Sequence, residues 1–115
     1  MGALDNKVAI VTGAGGGIGR AMSTRFAAEG AAVVCVDINE ERVNATVDEI
    51  TQNGGRGIAL PADVAVEANA EAAVAAAVSD FGGLHVLVSN AIYDLPLAPV
   101  TEISYDDWRR TMDVN

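Results

Sequence analysis

The chain has 115 residues, half of them apolar, with a formal charge of −9, one cysteine and one histidine. That length and apolar content suit one modest domain with one hydrophobic core, and argue against disorder. The acidic balance argues against nucleic acid or an anionic membrane as partner, lone Cys35 allows no internal disulfide and offers no metal-ligand spacing, and no apolar run can span a bilayer, so a cytoplasmic protein is expected.

Val8 to Val11 reads as a short strand, continuously apolar as a buried parallel sheet requires. It runs into Thr12-Gly13-Ala14-Gly15-Gly16-Gly17-Ile18-Gly19, which opens a helix. Backbone N–H groups at a helix start have no partner inside the helix, and the dipole favours negative charge there. Glycines keep side chains off that backbone, so a strand, a glycine turn and a helix in succession point to a held phosphate. The glycines at 13, 17 and 19 give G-x-x-x-G-x-G. The pattern G-x-G-x-x-G does not fit, because its sixth position is Ile18 counted from Gly13 and Met22 counted from Gly17. Ile18, Met22 and Phe26 recur at helical spacing, and Gly30 stops the helix.

Ala32 to Val36 is the second strand, and Asp37 stands at its end. That is about twenty residues past the glycine turn, where a ribose-binding carboxylate belongs. A carboxylate there accepts from ribose hydroxyls and repels a 2′-phosphate. No lysine or arginine lies within Gly13–Gly19 or directly after Asp37, so NAD is favoured over NADP.

Asn39 is placed to cap a helix carrying Val43, Val47 and Ile50 on one face, ended by Asn53-Gly54-Gly55. Gly57 to Leu60 is a third strand leading to Pro61-Ala62-Asp63-Val64. An alanine-rich helix follows over 66–81, with Val74, Ala77, Val78 and Phe81 predicted to face the core, and Gly82-Gly83 stops it. Leu84 to Ser89 is the fourth strand, and His85 within it reads as a packed strand residue. A loop over 90–99 leads to Ser104 and Asp107, spaced like a capping box before a last helix with Trp108 and Met112 on one face. Alternating strands and helices imply right-handed crossovers and a parallel sheet. The predicted fold is α/β, a Rossmann-type doubly wound sheet of strand order 3-2-1-4 with flanking helices. Its crevice lies between strands 1 and 4, bordered by the glycine turn and Asn90.

These residues resemble the short-chain dehydrogenase/reductase family, in its shorter single-domain subtype, along essentially the whole chain. Thr12 to Gly19 is similar to the family's T-G-x-x-x-G-x-G cofactor loop. Gly16 and Gly19 also meet the extended subtype's T-G-x-x-G-x-x-G, whereas Gly17 and the rest of the chain favour the shorter one. Asp63-Val64 resembles the family's adenine contact, with a loop carboxylate capping the next helix as the other reading. Ser89-Asn90-Ala91-Ile92 stands where the family has N-N-A-G; Asn90 and Ala91 match, Ser89 and Ile92 depart. A β-branched residue tolerates positive φ badly, so either the backbone at Ile92 differs from the family's or the family glycine serves only to make space. Asp113-Val114-Asn115 resembles D-V-N, whose asparagine holds a water in the proton relay. The resemblance thus implies cofactor contacts at Gly13, Gly15, Gly16, Gly17, Ile18, Gly19, Asp37, Ile38, Asp63, Val64, Asn90 and Ala91, a catalytic part for Asn115, and no metal.

The family's proton chemistry rests on a serine and Y-x-x-x-K. Here Tyr93 is followed four residues on by Leu97, and Tyr105 by Arg109, so neither fits. Residues 1–115 are therefore expected to be a dinucleotide-binding domain, incomplete relative to the family and inactive alone. The parent activity would be NAD-dependent hydride transfer between nicotinamide and an alcohol or carbonyl substrate. A stand-alone nucleotide-binding module and a methyltransferase-like domain are the alternatives. The segment 93–100, with Tyr93 and Leu95, is expected to line one wall of the pocket. A bare apolar fourth strand predicts a homo-oligomer or strand exchange.

Overall fold

The computed structural model describes residues 2–115. Four apolar runs form parallel strands: β1 (Val8–Thr12), β2 (Ala32–Asp37), β3 (Arg56–Pro61) and β4 (Val86–Val88). Between and after them lie α1 (Gly17–Ala28), α2 (Glu40–Gln52), α3 (Glu67–Phe81) and α4 (Tyr105–Val114), the last preceded by a 3-10 turn at Val100–Glu102. The sheet order is β3-β2-β1-β4, the Rossmann-type doubly wound arrangement. Ala9, Ile10 and Val11 of β1 stand opposite Val86, Leu87 and Val88 of β4 on one side, and opposite Val33, Val34 and Cys35 of β2 on the other.

Alternation along the central strands sorts the core into two layers. Val11, Val33 and Cys35 join Ala27 of α1 and Val43 and Ile50 of α2. Val8, Ile10, Ala32, Val34 and Val36 join Ala73 and Ala77 of α3. Both faces are covered, which is why β1 and β2 read as unbroken apolar runs. Local signals end the elements where expected. The Asn39 side chain accepts from the Arg42 amide at 3.0 Å, and the Ser104 hydroxyl accepts from the Asp107 amide at 3.1 Å. Gly30, Gly54 and Gly82 all take the left-handed backbone just past their helices.

Two expectations need correcting, on α3 and on the fourth strand, and α1 shows the same packing rule as α3. In α1 the buried residues are Gly19, Ser23 and Ala27; Met22 and Phe26 are half-buried, and Ile18 is 73% exposed. In α3 the buried residues are Ala73 and Ala77, with Phe81 half-buried as expected, whereas Val74 and Val78 face out. The same cause acts in both helices. A helix lying close on a sheet puts its smallest residues against the strands, and the larger apolar ones sit at the margins of the contact. The fourth strand is also shorter than its apolar run. His85 precedes it, donating its amide to Val8 O and accepting the Val8 amide on Nδ1, each at 2.9 Å. That side chain stands in for a strand partner. Leu87 is exposed, and no residue of α4, Trp108 and Met112 included, is buried. Among the described residues no helix is long and apolar enough to cross a membrane.

Cys35 is fully buried, and loss of solvent pushes its thiol from its ordinary 9.0 up to about 11. The folded state holds the neutral thiol, so this contribution to stability is intact below pH 9 and is lost as pH rises to about 11. Iodoacetamide at about pH 8 is expected to modify Cys35 only after unfolding, as intact mass would show. Ile50→Ala should cost about 2–5 kcal/mol in urea denaturation. Ile18→Ala should stay within about 0.5 kcal/mol, because that side chain leaves little apolar surface in the core.

Candidate functional site

The glycine turn at the carboxyl end of β1 holds glycines of two kinds. Gly13 has φ +66°, and a Cβ there would come within 2.9 Å of Asn90 Nδ2 and 3.1 Å of Ala91 Cα. A Cβ on Gly19 would collide with the Gly13 carbonyl, and one on Gly15 would meet Arg42 Cβ at 2.8 Å. These three positions need glycine so that the protein can close on itself. Gly16 and Gly17 do not. A Cβ on Gly16 would find its nearest neighbour at 4.0 Å, and one on Gly17 would meet nothing within 4 Å. Open space there coincides with unused donors. Gly16 caps α1 without a side chain, no acidic residue lies in the first turn, and the first helical amide to find a carbonyl is that of Arg20, on Gly16 O at 2.7 Å. Among the described residues the amides of Gly17, Ile18 and Gly19 find no acceptor. An uncapped dipole end with room before it fits a phosphate.

Side chains hold this turn in place from three sides. Thr12 Oγ1 donates to Val88 O at 3.3 Å and accepts the amides of Asn90 (2.9 Å) and Ala91 (3.0 Å), joining the ends of β1 and β4. Asn90 Nδ2 donates back to Thr12 O at 3.1 Å. Asp37, half-buried, accepts the Gly15 amide on Oδ2 and the Asn39 amide on Oδ1, both at 2.9 Å, so it ties β2 to the turn. Each carboxylate oxygen keeps capacity for another donor. From α2, Thr46 Oγ1 donates to Ala14 O at 2.9 Å. Arg20 points away from the turn and pairs with Glu49 at 2.6 Å.

The opposite wall comes from the loops after β3 and β4 and from α4. Asp63 accepts the Ala65 amide on Oδ1 at 2.9 Å, in the turn ahead of α3 and not as its cap, because the cap position is Val66 and takes no side-chain hydrogen bond, and its Oδ2 pairs with Arg110 Nη2 at 2.7 Å. Arg110 and the Ala65 amide together hold the Asp63 carboxyl below the usual carboxylate range. The Arg110 guanidinium lies over the Tyr93 ring, 5.8 Å from its centre. Tyr93 OH donates to Asp107 Oδ1 at 3.1 Å, and that hydrogen bond and the carboxylate charge push the phenol up from its ordinary value. Tyr93 is thereby a poorer proton donor than a free tyrosine. The Asn115 side-chain oxygen accepts the Tyr93 amide at 2.6 Å.

Between these walls lies a cleft of about 260 Å³ lined by Gly13, Asp37, Ile38, Ala62, Asp63, Val64, Ala91, Ile92, Tyr93, Arg110 and Val114. Of the residues singled out from sequence, Gly13, Asp37, Ile38, Asp63, Val64 and Ala91 meet in it. Gly15 to Gly19 form the adjoining turn, Asn90 stands behind Thr12, and Asn115 reaches the far wall through Tyr93. Leu95 is not in the lining. Ile92 is, and its backbone is ordinary: Asn6 is the only non-glycine with positive φ among the described residues. The Arg110–Asp63 pair was not legible in advance, because 47 residues separate its members and Arg110 reads only as the polar side of a helix.

A doubly wound parallel sheet with an open glycine turn after β1 and a carboxylate ending β2 is a Rossmann-type α/β arrangement. The chain belongs to the short-chain dehydrogenase family of oxidoreductases, whose family model (short chain dehydrogenase) matches residues 7–115. It is 43% identical over 111 residues to a cyclohexanol dehydrogenase of Acinetobacter sp. (strain SE19), covering 96% of this chain and 44% of that protein. A solved short chain dehydrogenase from Mycobacterium avium superposes with TM-score 0.91 at 40% identity, over 98% of this chain and 42% of that one. Carveol dehydrogenase from Mycobacterium avium, solved in complex with NAD, gives TM-score 0.92 at 26% identity, over 99% and 46%. The chain thus spans less than half the length of these relatives.

The two kinds of glycine should separate by calorimetry. Gly19→Ala is expected to lose about 1–3 kcal/mol through the clash with the Gly13 carbonyl. Gly17→Ala should leave thermal stability within about 0.5 kcal/mol.

Proposed function

We propose that residues 1–115 are the dinucleotide-binding domain of an NAD(H)-dependent oxidoreductase acting on an alcohol or carbonyl substrate. The observation that carries this is the space at Gly17 beside three unused amides: the protein itself has no need of it, and a pyrophosphate would fill it. Bound nicotinamide would supply hydride transfer, and this chain's residues hold and orient the cofactor. The amides of Gly17, Ile18 and Gly19 take the phosphate oxygens. Asp37, already fixed by the Gly15 and Asn39 amides, has acceptor capacity left for the adenosine ribose hydroxyls and opposes a 2′-phosphate, which favours NAD over NADP. Ile38, Val64 and Ile92 offer apolar walls for the base, and Asp63 offers an acceptor for its exocyclic amine.

Asn90 and Ala91 brace the turn through Thr12. Asn115, its oxygen held by the Tyr93 amide, keeps its side-chain NH2 free to hold a water in the proton path. The 115 residues contain no tyrosine followed four positions on by lysine, so the proposal assigns them cofactor binding and not proton transfer. The names of the relatives, cyclohexanol dehydrogenase and carveol dehydrogenase, support an alcohol or carbonyl substrate. Association with another copy is part of the reading.

Fluorescence titration of the intact protein with NADH tests the proposal. Saturable binding is expected, with S-adenosylmethionine failing to compete. Gly17→Ala should weaken it about tenfold or more at unchanged melting temperature, since a methyl group there would push phosphate oxygens off charge-assisted hydrogen bonds. Unaltered affinity in that variant would refute the reading.

A further inference from the structure

We infer that Arg110 is a positioning residue for the base end of the cleft: its ion pair with Asp63 and its seat over Tyr93 fix the Asp63 carboxylate to read an exocyclic amine, so the choice of base depends on helix α4. This rests on the dinucleotide reading above and extends it to a residue outside the nucleotide-binding turn.

Asp63 lies on the loop between β3 and α3, where a lone carboxylate would sample several rotamers. It is held at both oxygens instead, Oδ1 by the Ala65 amide and Oδ2 by Arg110. An ionised carboxylate so held can only accept hydrogen bonds. It favours a ring carrying an amine at that position and repels one carrying a carbonyl oxygen. Adenine and hypoxanthine differ in this group and in the neighbouring N1, which carries a hydrogen only in hypoxanthine.

Arg110 comes from α4, which buries no residue of its own. Three polar contacts tie that helix and its last residue to the cleft: Arg110 with Asp63, Asp107 with the Tyr93 hydroxyl, and Asn115 with the Tyr93 amide. They converge on Tyr93, whose ring carries the guanidinium. A planar guanidinium can pair edge-on with a carboxylate while lying over an aromatic ring, whereas an ammonium group cannot do both from one position. The pair is a third exposed on the Arg110 side, so its direct worth to stability is small. Its consequence is local, because Arg110, Asp63 and Tyr93 all line the same cleft.

The test compares NAD with nicotinamide hypoxanthine dinucleotide, in which a carbonyl replaces the amine, by titration calorimetry on the intact protein. The wild type is expected to prefer NAD. In Arg110→Met the NAD affinity should fall about five- to tenfold while the hypoxanthine analogue changes little, so the preference collapses. Arg110→Lys should lose most of the preference and Tyr93→Leu part of it, and these two variants carry the test if Arg110→Met does not fold. A purely structural role would weaken both ligands alike. An unchanged ratio in the folded Arg110 variants, or a wild type that binds both dinucleotides equally, overturns this inference. A wild type that binds neither overturns the dinucleotide reading itself.

Discussion

The carbonyl of Gly13 lies so close to Gly19 that the helix admits no side chain at that point, and this contact sets how α1 leaves the sheet. The helix start then faces the crevice at the carboxyl ends of the strands, with its first amides bare. Thr12, Asn90, Asp37 and Thr46 all spend their polar groups on holding the turn in this state. A turn fastened so thoroughly loses little freedom when an anion arrives, so more of the binding energy survives as affinity.

Charge works locally here. The chain is strongly acidic, yet the opening before α1 is bordered by unpaired N–H groups and a helix dipole, with no acidic residue in the first turn. The two carboxylates of the cleft are each held by a backbone amide other than those of Gly17, Ile18 and Gly19. Asp37 is bound by Gly15 and Asn39, and Asp63 by Ala65 and Arg110. A site for a molecule with a charged middle and a hydroxyl-rich, flat end calls for that division: donors at the centre, fixed acceptors at the base end.

The two walls of the cleft differ in how they are supported. The β1–β2 side stands on a core of close-packed valines, alanines and the buried thiol of Cys35. The α4 side stands on hydrogen bonds and one ion pair, half open to water. Exposed polar contacts are individually weak, so the second wall depends on several of them acting together. The base end of the site is thus shaped by polar contacts, and the phosphate end by packing.

Strand and helix order, the turn after β1, the cap at Asn39, the buried Cys35 and the carboxylate at Asp37 were all legible in the amino-acid sequence. Each follows from local chemistry: continuous apolar runs, glycine, and residues that cap or end elements. Helix faces were read less well. Val74 and Val78 were assigned to the core by apolar spacing, but contact with the sheet selected Ala73 and Ala77, because close approach rewards small side chains over apolar ones. Tertiary structure alone decided which glycines serve the protein and which leave room for a ligand, since that depends on atoms as remote as Asn90 and Arg42. It alone paired Arg110 with Asp63, because no periodicity in a sequence records which polar helix face will meet a loop 47 residues earlier.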